Sequence, residues 1–408
     1  MIRYLTSGES HGSALTTVIE GFPSNFVIPP DYINKQLARR QMGFGRSFRM
    51  KIENDSAEFI SGIRHGKTLG SPITVLIKNK DWENWKDAMS AFGDPNRSKV
   101  VTVPRPGHAD LNGVIKYHYN DIRNSLERSS ARETAIRVAA CSFSRLLLEN
   151  LGIQIGSYVE MIGSSDFSVE SSQKSLTFKL LNNIVPNRFT VGSLSDKADK
   201  SPVRIMDTVI EKSAIKQIEK ARENGDTLGG TFVVVVTGLP PGFGSFMSWD
   251  RKLDGLLAQA IMSINAVKAV EIGGGFRIAQ NPGSVVMDEI FIKNNNFSRK
   301  TNFSGGIEGG VSNGLPVIIR AAMKPIPTLM KPLDSVDLAT MKKVRAFRER
   351  SDYTAVPACS IVAESVVAHV LANAIIEKIG GDSYEEILPG FNNYKKNLFH
   401  RVKSNFQK

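Results

Sequence analysis

Arg128-Ser-Ser-Ala-Arg-Glu-Thr134 sets two arginines and two serine hydroxyls where a helix is about to begin. Ser130 and Glu133 have the S-x-x-E spacing of a capping box, and Ala131, Ala135, Val138 and Ala139 follow at helical intervals. A helix N-terminus offers unpaired backbone N–H groups and a partial positive charge, so it attracts anions. Arg128 and Arg132 add guanidinium forks whose geometry suits phosphate or carboxylate.

Two histidines stand in similar small-residue settings. His11 lies in Gly8-Glu-Ser-His-Gly12, and His108 in Pro104-Arg-Pro-Gly-His-Ala-Asp110 beside Arg105. An imidazole in a rigid Gly/Pro turn is suited to proton transfer near neutral pH. Farther along, Lys324-Pro-Ile-Pro-Thr328 presents an ammonium and a hydroxyl from a stiff turn, and Arg350 stands two residues from Asp352, close enough to hold that carboxylate ionised. Metal chemistry is disfavoured: the chain has no H-x-x-x-H, no H-E-x-x-H and no Cys/His cluster. It also lacks a Walker motif and a G-x-S-x-G elbow. The glycine runs at 273–275 and 305–310 do not sit in a strand–G-x-G-x-x-G–helix context.

The elements that must position these groups read as a mixture. Strands are expected at Ser71–Lys78, Gly230–Thr237, Ser284–Ile292 and Pro316–Ala322, and helices at Asp31–Gln41, from about Ala131, from about Asp250 to Ala266 and from about Val356 to Ile379. Hairpin-like turns accompany the helices, so the expected class is α+β with antiparallel sheets. Thr17–Pro23 and Val233–Pro241 both read as strand, Gly-x-Pro turn, then helix, which hints at duplicated halves sharing one core. No linker divides the chain, so 1–408 is expected to be one domain. The polar stretch Gly163–Arg204 reads as an excursion from it. The segment Val356–Ile379 is interrupted by Ser360, Glu364, His369 and Asn373 and reads as a buried core helix, not a membrane span.

The 408 residues carry 52 basic against 40 acidic side chains, a net charge of +12 that implies anionic partners. The arginines fall in short clusters mixed with Gly, Ser and His, without basic tracts interleaved with aromatics, which disfavours nucleic acid and favours a pocket for a small polyanion. Cys141 and Cys359 sit in apolar helical context, and Met1–Gly12 has no apolar leader-like run. The expectation is a cytoplasmic protein.

Eight segments in order, G-E-S-H-G at 8–12, R-R-Q-x-G-F-G-R-S at 39–47, P-R-P-G-H-A-D at 104–110, R-S-S-A-R-E-T at 128–134, S-I-N-A-V-K at 263–268, G-G-I-x-G-G-x-S-N-G at 305–314, K-P-I-P-T at 324–328 and R-S-D-x-x-A-V-P-A at 350–358, resemble the signatures of the chorismate synthases. The resemblance implies a β-α-β sandwich with helices packed between antiparallel sheets, assembled as a homotetramer. It implies a lyase that forms chorismate from 5-enolpyruvylshikimate 3-phosphate by 1,4-elimination of phosphate, the last common step toward the aromatic amino acids, with reduced FMN as cofactor and no net redox change. By position, Arg40, Arg46, Arg49, Arg105, Arg132 and Arg350 would neutralise the substrate's two carboxylates and phosphate. His11 would donate a proton to the leaving phosphate, His108 would stabilise the reduced flavin, and Asp352 would act with flavin N5 in removing the ring C6 proton. FMN contacts would come from Arg128, Ser129 and Ser130, from Asn265, Ala266 and Gly309, from Lys324, Pro325, Ile326, Pro327 and Thr328, and from Arg350. No appended flavin reductase domain is evident, so reduced flavin would come from an external reductase, NAD(P)H entering only there.

Overall fold

The run Val233-Val-Val-Val236 lacks the alternation of a strand with one wet face, and both of its faces are in fact covered. In the computed structural model, which describes residues 1–46, 54–93, 99–164, 175–183, 190–294, 296–349 and 351–406, the strand Gly230–Thr237 sends Phe232, Val234 and Val236 into the main core. Val233 and Val235 point the other way, into a smaller cluster with Leu180, Leu181, Val191, Leu194 and Ala198. That cover comes from the helices Leu176–Leu181 and Val191–Asp199. The polar excursion at 163–204 is therefore, in its described parts, the outer wall of a sheet. Arg49 and Arg350 lie outside the described residues.

Two four-stranded sheets flank a helical layer. The first holds β1 (Arg3–Ser7), β2 (Ala14–Glu20), β3 (Glu58–Ser61) and β4 (Ile73–Lys78) in the spatial order β1-β2-β4-β3, every pair antiparallel. The second holds β5 (Gln154–Ile162), β6 (Gly230–Thr237), β7 (Val267–Ile272) and β8 (Val317–Met323) in the order β5-β6-β8-β7, again all antiparallel. In the first sheet Leu15, Ile19, Ile73, Val75 and Ile77 face inward at alternate positions while Val18 stays exposed, the period-2 pattern of a half-wet sheet.

The layer between them contains α1 (Tyr32–Gln41), α4 (Glu133–Asn150), α5 (Leu253–Met262) and α6 (Val356–Ile379), with the short α2 (Asp110–Tyr117) and α3 (Arg123–Ser129) preceding α4. Helices α4 and α6 pack against each other, α4 against β2 and β4, and α6 against β5 and β6. One continuous hydrophobic cluster spans both sheets and these helices. Helix α6 is long and apolar enough to cross a membrane, yet 78% of its most apolar stretch is buried inside the protein. A helix enclosed on every side needs no polar stripe.

Apart from the helices Leu176–Leu181, Val191–Asp199 and Thr208–Asn224 inserted between β5 and β6, and shorter elements in both halves, each half follows the same order: two strands, a helix, two strands, then a long central helix. Gly21 (φ 71) ends β2 and Gly238 (φ 84) ends β6. A Cβ at Gly21 would stand 2.2 Å from the Met1 carbonyl oxygen, and one at Gly238 would stand 2.3 Å from that of Gly152. Both turns press against the chain entering the preceding strand, so only glycine fits. The duplication hinted at by the two Gly-x-Pro turns is thus visible in topology and in backbone geometry.

Where α1, α4 and α6 meet β5, several buried polar groups converge on one carboxylate. Glu364 of α6 accepts from Arg39 of α1 at 2.8 and 3.1 Å, from Ser157 of β5 at 2.6 Å, and from Arg145 of α4 and Arg204. Burial opposes its charge, but the three guanidinium groups outweigh that and hold the carboxyl well below the usual carboxylate range.

One expected strand is different. Over 284–292 the chain forms a single helical turn at Gly283–Val286 and then a hairpin, Ile290–Lys293 with Asn296–Arg299. Asp288 causes the break: its carboxylate accepts from the Thr301 hydroxyl at 2.6 Å and from the backbone N–H groups of Phe303 and Ser304 at 2.8 and 2.9 Å. The helix expected from Asp250 to Ala266 is shorter at both ends, since Ala266 takes a positive φ of 69.

Candidate active site

The N-termini of α4 and α6 open on one cavity of about 410 Å³. Both halves of the chain line it. Ser10 and His11 come from the β1–β2 connection, Arg40 and Arg46 from the end of α1 and beyond, and Arg105, Gly107 and His108 from the loop before α2. Ser129, Ser130 and Arg132 come from the α3–α4 junction, Asn265 and Ala266 from the α5–β7 turn, and Lys324, Ile326, Pro327 and Thr328 from the segment after β8. Asp352 and Glu349 precede α6. A wider depression of about 700 Å³ adjoins it, sharing Arg105, Gly107, His108, Ile264, Ala266 and Lys324.

The arginine cluster is built around Asp55. Arg132 donates to Asp55 Oδ1 at 2.5 Å and to Asn79 Oδ1 at 3.0 Å, while Arg40 Nη1 lies 3.6 Å from Asp55 Oδ2. Arg40 also donates to the Thr134 hydroxyl at 2.9 Å and to the Ala131 carbonyl at 3.1 Å. Its Nη1 has no hydrogen-bond acceptor. Burial pushes the Arg40 guanidinium down to about 10; Asp55 offsets part of that, and the nearby Arg46 and Arg132 add to it. Concentrated positive charge of this kind, short of acceptors, is suited to a polyanion.

His108 belongs to a triad with Arg105 and Asp110. Its Nδ1 lies 2.5 Å from Asp110 Oδ1, and Arg105 clamps the same carboxylate through Nε at 2.8 Å and Nη2 at 3.1 Å. Arg105 also reaches the Thr328 hydroxyl at 2.9 Å. Burial opposes the Asp110 charge, yet the His108 and Arg105 hydrogen bonds override it and hold the carboxyl well below the usual range. His11 is buried, and its Nδ1 lies 2.9 and 3.0 Å from the two oxygens of Glu127. Across the cavity, Arg46 Nη1 pairs with Asp352 Oδ2 at 3.3 Å.

With this geometry in place, comparison with known proteins is decisive. A family model described as chorismate synthase matches residues 2–376. The chain is 52% identical over 400 residues to the chorismate synthase of Prosthecochloris aestuarii, covering 98% of each. It is 49% identical over 398 residues to that of Carboxydothermus hydrogenoformans, covering 98% of this chain and 99% of the relative. The chain belongs to the chorismate synthase family. A crystal structure of a chorismate synthase matches the fold with a TM-score of 0.78 at 39% identity, over 98% of each chain. The α+β architecture inferred from the sequence is therefore that of the chorismate synthases.

The family's signature segments do not all meet at the cavity. Arg128 is turned outward, donating to the Gly8 carbonyl at 3.3 Å and to the Thr6 carbonyl and hydroxyl at 2.9 and 3.0 Å, because the end of β1 leaves those oxygens accessible. Gly309 (φ 59) sits in the tight turn between Ile307–Glu308 and Val311–Ser312, away from the lining, and Pro325 is exposed and also outside the lining. The expected capping box does not form: Ser130 Oγ accepts from Arg132 N at 3.3 Å, and Glu133 instead accepts from Thr6 at 3.0 Å and Arg137 at 3.3 Å. Ser130 is instead the C-cap of α3, in extended conformation, and Arg132 takes the N-cap position of α4.

Three carboxylates that organise the site were missed from the sequence. Asp110 could have been found, since it stands two residues from His108 within one motif. Glu127 had a weaker signal, a lone acid beside the arginine–serine run. Asp55 had none, because its partner Arg132 is 77 residues away.

Proposed function

We propose that this chain converts 5-enolpyruvylshikimate 3-phosphate to chorismate by 1,4-elimination of phosphate, with reduced FMN as cofactor. The observation that carries the reading is the meeting, in one cavity drawn from both halves of a chorismate synthase family chain, of Arg40, Arg46, Arg105 and Arg132 with His11 and His108. A substrate with two carboxylates and a phosphate matches that charge, and fixed guanidinium groups also stabilise the charge that develops on a departing phosphate. Arg49 and Arg350, outside the described residues, join this set by resemblance. The single unit 1–408 is then also the catalytic unit.

His11 is the proton donor to the leaving phosphate. Asp352, held by Arg46, takes part in removing the ring C6 proton, and His108, fixed by Asp110, faces the cofactor. The lining fits FMN in its donor set: Leu126, Ile264, Met323 and Val362 supply an apolar wall, with Ser129, Ser130, Asn265, Thr328 and Lys324 as polar contacts. Reduced FMN, when bound, supplies an electron-rich ring that stabilises transient electron deficiency while phosphate departs, and is not consumed. The remaining contacts, Ala266, Ile326 and Pro327 in the lining and Arg128, Gly309 and Pro325 outside it, are carried by the resemblance.

The same reading takes the enzyme as a cytoplasmic homotetramer supplied with reduced flavin by an external reductase, NAD(P)H acting only there. Exposed Ile290, Phe291, Ile292 and Phe297 on one hairpin support assembly, and the free, buried Cys141 and Cys359 support a reducing compartment. The test is anaerobic turnover with dithionite-reduced FMN. Phosphate and chorismate should form in equal amounts without NAD(P)H; no phosphate release would refute the reading, and stoichiometric NAD(P)H consumption would favour an oxidoreductase.

A further inference from the structure

Residues 10 and 11 are gripped by a single side chain and its backbone. The His11 N–H donates to Glu127 Oε2 at 2.8 Å, the Ser10 N–H donates to the Glu127 carbonyl at 3.1 Å, and the His11 ring presents Nδ1 to both carboxylate oxygens at 2.9 and 3.0 Å. The Glu127 side chain is 1% exposed. On its face, the His11 ring stacks on Trp85, with centroids 4.0 Å apart and planes inclined by 26°. Arg123 ties the two supports together: it donates to Glu127 Oε1 at 3.2 Å and lies 5.0 Å from the Trp85 ring centre, with Lys99 Nζ 4.7 Å from the same ring.

We propose that Glu127 and Trp85 are positioning residues that make His11 an acid, Glu127 by fixing the proton on Nδ1 and Trp85 by fixing the ring plane. This rests on the reading of His11 as proton donor to the leaving phosphate. A carboxylate cannot donate, so the nitrogen facing it carries a proton in every state of the ring. Nε2 is thereby the nitrogen that exchanges its proton. In the step itself the Nε2–H bond breaks, its electron pair stays on the ring, and an O–H bond forms on the phosphate as the C–O bond to the substrate breaks. The neutral ring regains its proton from water. Arg123 and Lys99 are charged groups that touch this assembly, Arg123 through Glu127 and the Trp85 ring and Lys99 through the Trp85 ring.

The test uses the full-length enzyme with 15N-labelled histidine, the His11 signals being assigned by their loss in His11→Asn. In wild type, the neutral ring should be the tautomer protonated on Nδ1, with Nε2 bare. Glu127→Gln, which keeps shape and removes charge, should give a mixed tautomer population and lower kcat roughly 10²-fold with KM within about threefold. Glu127→Asp should restore most of the Nδ1-protonated tautomer and part of kcat, and Trp85→Leu should lower kcat while Trp85→Phe retains it. A wild-type tautomer pattern in folded Glu127→Gln, or a kcat loss in it without any tautomer change, overturns the proposal. If wild type releases no phosphate, the catalytic reading fails instead, and the nitrogen spectra still decide whether Glu127 sets the tautomer.

Discussion

Arg46 Nη1 stands 3.3 Å from Asp352 Oδ2, and this ion pair joins the segment after α1 in the first half to the segment before α6 in the second. The side chains are only 10% and 17% exposed, so the pair lies inside the cavity wall and not on a solvated surface. From the sequence, the expected partner of Asp352 is Arg350, two residues away. A partner from the other half means that the halves must be docked before this carboxylate is placed.

Asp352→Asn should therefore abolish proton removal while leaving the cavity shape intact, with kcat down roughly 10²-fold or more. Arg46→Lys should keep the charge but lose the planar fork, raising KM and lowering kcat/KM. Anaerobic phosphate release checks both, and a thermal midpoint near that of wild type shows that the loss is chemical.

Asp110→Asn should be costly in a different way. It removes the acceptor that Arg105 clamps twice and that His108 meets at 2.5 Å, leaving buried charge unpaired. The expected loss is about 3–5 kcal/mol, measured by urea unfolding. Because the folded-state carboxyl is held below its unfolded value, its stabilisation is present above about pH 4 and is lost as pH falls below that. The variant should lack that acid-side slope.

Glu364→Gln should destabilise by a similar amount, about 3–5 kcal/mol, without touching the cavity. Arg39, Arg145 and Arg204 converge on this one carboxylate, and an amide removes the fully buried charge they share, leaving only the more exposed Asp199 and Glu149 as acidic partners. Unfolding curves of the variant read this directly; kcat measured well below its midpoint should stay near wild type.

His369 gives a titration of opposite sign. It is packed edge-on against Tyr4 at 4.8 Å, and burial pushes it down to about 4. The neutral ring is the folded form, so its contribution is complete above about pH 6.5 and is lost as pH falls toward 4. The expected loss is on the order of 3 kcal/mol, and it should vanish in His369→Gln when stability is followed against pH.

Gly21→Ala and Gly238→Ala should fail alike, since each Cβ meets a carbonyl oxygen at 2.2 or 2.3 Å on a backbone with positive φ. Gly93→Ala shares the positive φ (104) but meets nothing within 4 Å, so it should cost only about 1 kcal/mol. Comparable thermal shifts for all three would count against the matched-turn geometry of the two halves.

By itself the sequence determined the candidate groups for chemistry and the elements with strong local patterns. The family's signature segments, the Gly230–Thr237 strand and the Val356–Ile379 helix are carried by runs of adjacent residues, where spacing and composition suffice. The tertiary structure alone decided which partners those groups acquire. Glu127 meets His11 across 116 residues, Asp55 meets Arg132 across 77, and Arg46 from the first half meets Asp352 from the second. It also turned Arg128 outward and dissolved the capping box, because accessible carbonyls at the end of β1 take the Arg128 side chain and Ser130 closes α3 instead of opening α4. Ion pairs and hydrogen bonds depend on distances of a few ångströms between atoms far apart in the chain, and only the docking of the two halves fixes those distances.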